Sequence, residues 1–278
     1  MRPAESKDLR LLFAGVPLAA PALYNFEKHC FSSRLMPKKT KEKFSLIPEK
    51  KLLALYAGLL KCRMVEESVG RGAFAGKEAP AVAAVIDLRD GDKVIAGVAD
   101  FLPQFVKGQS PGAVPRKRKA RSKPAIDLLR SGITASRSLQ RKKSGNIAVV
   151  FCDAAGAATE KYLRAAGDEQ LPVIFVRNGN PRSASRIPGP ACGFPAITVD
   201  SDDVVAIYRV ASESIAHARR GNGATLIECV PWPLAEEGEA DAVASMERYL
   251  TQHGVAFERS KARVKEGFAR KLRDAGIE

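Results

Sequence analysis

The part of the chain that follows residue 47 carries hydrophobic side chains at helical spacing. Leucines recur every three or four residues and predict a helix over residues 48–68. An alanine-rich stretch predicts a second helix over residues 77–88. A Gly- and Asp-containing turn at 89–92 then leads into a short predicted strand at 93–96.

From residue 146 onward the pattern changes to continuous apolar runs separated by amphipathic stretches. Such runs are typical of parallel strands that are buried on both faces. The predicted strands cover residues 146–152, 171–176, 195–199 and 225–229, and the predicted helices between them cover residues 157–166 and 204–220. The predicted fold class is therefore α/β, with a mostly parallel sheet and helices on both of its faces.

Between these two parts, Gly and Pro residues surround a run of basic residues. This composition predicts a flexible loop over residues 107–125. Two short helices are predicted after it, at 124–130 and 133–143. The sequence thus predicts an N-terminal arm, residues 1–47, followed by a single α/β domain, residues 48–278.

The composition narrows the class of protein. The 278 residues are 45% hydrophobic, which excludes a disordered chain and suits one large domain. The five cysteines show neither paired nor CxxC spacing, so no disulfide framework or zinc site is predicted. No apolar stretch reaches the ~20 residues needed to cross a membrane. We therefore expect a cytoplasmic protein without a membrane partner.

The positive charge is concentrated in one segment. Residues 116–143 contain eleven Lys or Arg and one acid, Asp127, so they carry +10 of the net charge of +14. A segment of this kind can bind a polyanion by releasing counterions. No aromatic residue lies among these charges, so the segment offers no stacking on bases, which disfavours nucleic acid as the partner.

Two polar residues follow neighbouring predicted strands. Asp153 comes after the strand at 146–152 and Asn180 after the strand at 171–176, with a spacing of 27 residues that suits one strand–helix–strand crossover. Ligands of parallel sheets bind at the carboxyl ends of the strands. Carboxylate and amide oxygens hold hard cations, and such cations often keep a phosphate as partner. The pair therefore predicts a cation site that serves a diphosphate.

Each member of this pair also has a simpler role available. Asp153 could cap the helix that follows it, and Asn180 could be a turn residue in Asn-Gly-Asn-Pro. Cys152, next to Asp153, has no histidine in its sequence context to activate it, so a packed thiol is the prediction for it.

Five stretches of the chain together resemble one known family. They are residues 52–67, 76–79, 88–92, 171–176 and 199–228. The last of them is the most specific, since it keeps order, spacing and composition throughout. The chain resembles the α subunit of the thiamine-diphosphate-dependent dehydrogenase component of 2-oxo-acid dehydrogenase complexes, of the pyruvate, branched-chain and acetoin type.

The resemblance implies a fold, a reaction and partners. The fold is that of thiamine-diphosphate-binding proteins, and the reaction is oxidative decarboxylation of a 2-oxo acid, carried out with a β subunit in an oligomer. The acceptor is a lipoyl-bearing acyltransferase. The resemblance assigns Mg²⁺ to Asp153, Asn180 and the backbone carbonyl of Arg182, and the diphosphate to these residues and Ala154. It assigns no catalytic residue to this chain.

The chain departs from the family where the diphosphate is held. Cys152 and Ala154 stand where the family has glycines that allow close approach to phosphate. Val98 and Ala99 stand where a Tyr-Arg pair grips the diphosphate with charge-assisted bonds. The His-bearing loops of the family are missing as well. These departures predict a degenerate cofactor site.

Three functions stay open on the sequence. The first is an oxidoreductase subunit that uses thiamine diphosphate and Mg²⁺. The second is a pseudoenzyme, a non-catalytic scaffold or regulatory subunit on the same fold, which the survival of the scaffold motifs favours. The third is a polyanion-binding module built on residues 116–143.

Overall fold

The structure, a computed structural model, describes seven stretches of the chain. They are residues 45–70, 76–97, 100–113, 124–152, 157–179, 192–231 and 241–277. All of them belong to one compact unit, Lys43–Glu278. The predicted N-terminal arm lies outside the described residues up to position 44, and the predicted loop at 107–125 lies outside them over 114–123. In the described part of the chain, no helix is both long and apolar enough to cross a membrane.

A parallel sheet of five strands forms the centre of this unit. Its strands are β1 (Lys93–Ile95), β2 (Ala148–Phe151), β3 (Val173–Asn178), β4 (Ala196–Asp200) and β5 (Thr225–Val230). The strand order is β1-β2-β3-β5-β4, and every neighbouring pair is parallel. All five predicted strands are confirmed, although β3 begins and ends two residues later than predicted. The predicted α/β class with a parallel sheet is thus confirmed.

Eight α-helices surround the sheet in the described residues. They are α1 (Glu49–Val69), α2 (Glu78–Val85), α3 (Phe101–Val106), α4 (Ala125–Arg141), α5 (Ala157–Asp168), α6 (Val204–Arg219), α7 (Ala242–Gln252) and α8 (Glu258–Asp274). A 3-10 helix, Pro111–Ala113, lies in part of the predicted loop. An acidic residue caps α6, since the Asp203 carboxylate accepts hydrogen bonds from the amides of Val205 and Ala206.

The side chains of β2 show why both faces of the sheet are covered. Val149 and Phe151 belong to one hydrophobic core, which also contains buried residues of α1, α2, α3, α6, α7 and α8. Ala148 and Val150 point the other way into a second core with residues of α4 and α5. Since successive side chains of a strand face opposite sides, a run of buried residues requires a layer on each side.

Helix α4 corrects the prediction of two helices at 124–130 and 133–143. It is one continuous helix, because Gly132 allows close packing rather than making a turn. A Cβ atom at Gly132 would lie 2.4 Å from Cγ2 of Val150 in β2. The missing side chain therefore lets the helix lie directly on the sheet, at the cost in helix propensity that glycine carries.

A buried ion pair joins the amino ends of the strands to helix α6. The Asp92 carboxylate, which is completely buried, accepts a bond of 2.7 Å from Nη2 of Arg219. It also accepts hydrogen bonds from the backbone amides of Ile147 at 2.9 Å and Arg89 at 2.7 Å. One carboxylate thus fixes the turn before β1, the start of β2 and the end of α6.

Replacing Asp92 with alanine should destabilise the fold strongly. The change leaves the Arg219 guanidinium and the Ile147 amide without their partner, and breaking a buried pair in this way costs about 3–5 kcal/mol. Urea unfolding of D92A followed by circular dichroism measures the loss. The exposed neighbour Asp90 supplies the control, since D90A should change the free energy of unfolding by less than about 0.5 kcal/mol. Equal stability of D92A and D90A would contradict the assignment.

Candidate functional site

The carboxyl ends of β2 and β3 form the edge where a ligand site is expected. The two strands are direct neighbours, with Phe151 paired to Val176 in register. The amide of Cys152 donates a hydrogen bond of 3.1 Å to the carbonyl of Val176, so the pairing continues to the end of β2. Both strands therefore deliver their following residues to one edge of the sheet.

The predicted site residues follow these strand ends but lie outside the described residues. These residues are Asp153, Ala154, Asn180 and Arg182. Val98 and Ala99, which follow β1 in the sequence, also lie outside the described residues. The metal and cofactor contacts assigned to them therefore stay predictions. One part of the prediction is confirmed: the strands that precede Asp153 and Asn180 are adjacent and parallel.

Gly179 fixes the path of the chain just before Asn180. A Cβ atom at this position would lie 2.6 Å from Cγ2 of Val230 and 3.1 Å from Cγ of Glu228. The Gly179 amide also donates a hydrogen bond of 2.7 Å to the carbonyl of Cys229. The end of β3 is thus pressed against β5, and only glycine fits there without displacing a neighbour.

One small cavity at this edge is lined by described residues. The cavity bounded by the starts of α2 and α3 and the ends of β2 and β3 has a volume of about 10 Å³. Pro80, Leu102, Pro103 and Phe151 form much of its wall. A volume of this size holds about one water molecule, whereas pockets for drug-sized ligands measure ≈ 300–1,000 Å³.

One ion pair lies in the wall of this cavity. Nζ of Lys77, directly before α2, is 2.6 Å from Oδ1 of Asp100, directly before α3. The side chains are 31% and 17% exposed. Among the described residues that line the cavity, these two are the charged ones. No sequence pattern predicts this contact, because Lys77 and Asp100 precede two separate helices.

A second ion pair joins β3 to β5 close to the same edge. Arg177 and Glu228 are partners across the two strands, with Nη2 of Arg177 at 2.7 Å from Oε1 of Glu228. Both side chains are about nine-tenths buried. Burial raises the pKa of Glu228, and the charge of Arg177 acts in the opposite direction. Sequence reasoning missed this pair, since only the strand order brings the two residues together.

The described cysteine and histidine residues do not form a catalytic arrangement at this edge. Cys152 is buried in the second core, as predicted for a packed thiol. His217 lies in the last turn of α6, and His253 ends α7, where its ring stacks on Tyr249. Neither histidine lines the cavity at the ends of β2 and β3.

The described residues at this edge do not fit a diphosphate cofactor. Their cavity is far smaller than a cofactor, and the one cation on its wall, Lys77, is already paired with Asp100. No group of three or more His, Cys, Asp or Glu suited to a metal ion occurs among the residues that the structure describes.

The sheet and its edge define the class of protein. A parallel sheet with a helix layer on each face is a doubly wound α/β protein. The family model described as dehydrogenase E1 component matches residues 135–277, slightly more than half of the chain. The chain belongs to this family, and the predicted fold of thiamine-diphosphate-binding proteins is confirmed.

Known relatives are α subunits. The α subunit of acetoin:2,6-dichlorophenolindophenol oxidoreductase from Cupriavidus necator is 28% identical, over 64% of this chain and 68% of that protein. The Bacillus subtilis subunit of the same description is 27% identical, over 70% and 74%. The α subunit of 3-methyl-2-oxobutanoate dehydrogenase from Mycobacterium tuberculosis is 44% identical, over 23% and 16%. The resemblance to α subunits of 2-oxo-acid dehydrogenases is thus confirmed.

Removing one partner of the Arg177–Glu228 pair should cost more than removing both. R177M leaves the Glu228 carboxylate buried without its counter-charge, which should lower the free energy of unfolding by about 3–5 kcal/mol. The double variant R177M/E228M should recover most of this loss, because apolar side chains of similar volume replace a buried pair at little cost. Urea unfolding of the two variants and the wild type measures both steps. A double variant as unstable as R177M would contradict this account.

Proposed function

We propose that this chain is an α subunit of a 2-oxo-acid dehydrogenase in which the cofactor site has degenerated, and that it serves a β subunit as a non-catalytic scaffold or regulatory partner. The observation that supports this proposal best is the small size of the cavity that described residues line at the ends of β2 and β3. Its volume is about 10 Å³ and the one described cation on its wall, Lys77, is paired with Asp100, so these residues by themselves do not form a diphosphate pocket.

The residue types near this edge support the same conclusion. The Val98–Ala99 and Cys152–Ala154 positions lack the guanidinium and the glycines that the resemblance expects there. By contrast, the scaffold has kept its buried strands and its close helix packing at Gly132. Packing stabilises the fold, whereas a few side chains bind the cofactor. Loss of those few side chains therefore leaves a subunit that still folds.

The assembly in which the chain would act follows from its relatives. The α subunits that resemble it are named for oxidation of acetoin or of 3-methyl-2-oxobutanoate. We expect a β subunit as direct partner and a lipoyl-bearing acyltransferase as a more distant one, in the cytoplasm.

Ion pairs in α4 weaken the alternative that residues 116–143 bind a polyanion. The Arg137 guanidinium there binds the Glu169 carboxylate through two bonds, one of them 2.7 Å from Nε to Oε2. Arg130 forms an ion pair with Asp127 at 3.4 Å. Charges that are matched within the fold contribute less to binding a polyanion.

The isolated chain should bind thiamine diphosphate with Mg²⁺ weakly. Titration calorimetry should show no saturation at cofactor concentrations below about 1 mM, which corresponds to less than about 4.1 kcal/mol of binding free energy. D153N should give the same result as the wild type, since the predicted metal ligand has lost its supporting groups. Tight binding that disappears in D153N would overturn the degenerate site and restore the enzyme hypothesis.

A scaffold role also predicts assembly without cofactor. Co-expression with a β subunit from the same genome should give a hetero-oligomer of equal stability with and without thiamine diphosphate and Mg²⁺. Analytical ultracentrifugation after removal of Mg²⁺ with a chelator measures this. Dissociation on chelation, reversed by adding the cofactor and the metal, would contradict a purely structural role.

A further inference from the structure

A row of four arginines lies on the exposed side of helix α8. We call Arg259, Arg263, Arg270 and Arg273 the arginine row. We infer that the arginine row binds carboxylates on an acidic helix of a partner subunit, which in the proposed assembly is the β subunit. The inference rests on the proposed function, because it names the surface by which a non-catalytic α subunit holds its partner.

The spacing of the four arginines places them on one side of the helix. Neighbouring members are four, seven and three positions apart in the sequence. Because an α-helix has 3.6 residues per turn, side chains at these spacings face the same direction. The helix rises 1.5 Å per residue, so the arginine row is about 21 Å long. A partner helix that runs beside α8 can therefore contact all four arginines along about four turns.

The opposite side of α8 attaches the helix to the rest of the protein. Phe268 and Leu272 are buried in the hydrophobic core that α8 shares with α1, and Val264 packs against this core. The centroid of the Phe268 ring lies 5.6 Å from that of Phe105 in α3. The position of α8 thus depends on its apolar side, and the arginine row is left exposed for a partner.

The charge of the arginine row is not balanced within the described part of the chain. There, no ion pair or side-chain hydrogen bond involves Arg259, Arg263 or Arg273. Arg270 pairs with Glu266 at 3.2 Å, but these side chains are 64% and 76% exposed, and so exposed a pair contributes little. Helix α8 and residues 116–143 together carry the entire net charge of +14, so the rest of the chain supplies no excess of carboxylates for the row.

The residue types on this side of α8 indicate the chemistry of the partner. Guanidinium groups bind carboxylates and phosphates through two parallel bonds. Glu266 stands in the middle of the row, where it repels a continuous line of phosphates, whereas a helix can place an uncharged residue opposite it. The aromatic residue of α8, Phe268, is buried and offers no stacking on bases. A second copy of α8 would bring like charges together. These observations favour an acidic helix over nucleic acid or self-association.

The test is assembly of the full-length chain with a β subunit co-expressed from the same genome. In R263Q/R270Q, the loss of two guanidinium groups should raise the dissociation constant of the hetero-oligomer about tenfold or more, because charge pairs across an interface contribute to binding. Mass photometry of the purified hetero-oligomer over a dilution series measures this constant. Added salt should weaken assembly of the wild type more than that of the variant, since the variant has fewer charges to screen.

Two lysines of the same helix supply a matched control. Lys265 and Lys271 are exposed, but they lie about a third of a turn to either side of the arginine row. K265Q/K271Q removes the same net charge from α8 and should leave the dissociation constant within about twofold of the wild type, because exposed charges outside the contact contribute little. Thermal melting of each variant confirms that assembly is compared between folded proteins.

Three results would overturn the inference. They are unchanged assembly of R263Q/R270Q, an equal loss in K265Q/K271Q, and duplex DNA that binds the wild type but not R263Q/R270Q in fluorescence anisotropy while assembly is unchanged. The second assigns the effect to net charge, and the third assigns the row to nucleic acid. A wild type that does not assemble with the β subunit rejects the proposed scaffold and this inference together, whereas normal assembly of every variant rejects only the role of the arginine row.

Discussion

Burial of both faces of the parallel sheet is the constraint on which the rest of this structure depends. Each strand at the centre needs a helix layer above and below, and the side chains of β2 alternate between the two hydrophobic cores that result. The close approach of α4 at Gly132 and the pressed end of β3 at Gly179 both follow from this packing. Because helices cover both faces of the sheet, a ligand can reach the strands only at their ends.

The elements that the sequence predicted best are those in which local pattern and tertiary environment agree. The apolar runs that became β2, β3 and β5 are buried nearly throughout, so their periodicity reflects their true surroundings. The break predicted in α4 was wrong because Gly132 serves a close contact with β2. A glycine can mark either a turn or a close contact, and the sequence alone does not distinguish them. Helix α3 went unpredicted, since it has only six residues and contains Pro103.

The candidate site was predicted less completely than the fold, for a physical reason. Spacing along the chain correctly placed the residues before Asp153 and Asn180 on neighbouring strands. The two ion pairs near the same edge depend on contacts between separate elements, Lys77 with Asp100 and Arg177 with Glu228. No local pattern encodes such contacts, so these two ion pairs became visible only in three dimensions.

The Asp92–Arg219 pair lies at the amino ends of the strands, whereas the cavity lies at their carboxyl ends. A contact that stabilises the fold and the edge where ligands of such sheets bind thus lie at opposite ends of the sheet. Mutations that remove cofactor contacts at the carboxyl ends of the strands leave the Asp92–Arg219 pair intact. A protein of this fold can therefore lose cofactor binding step by step and still fold. On the proposed loss of the cofactor site, laboratory evolution toward cofactor binding would begin from a folded protein.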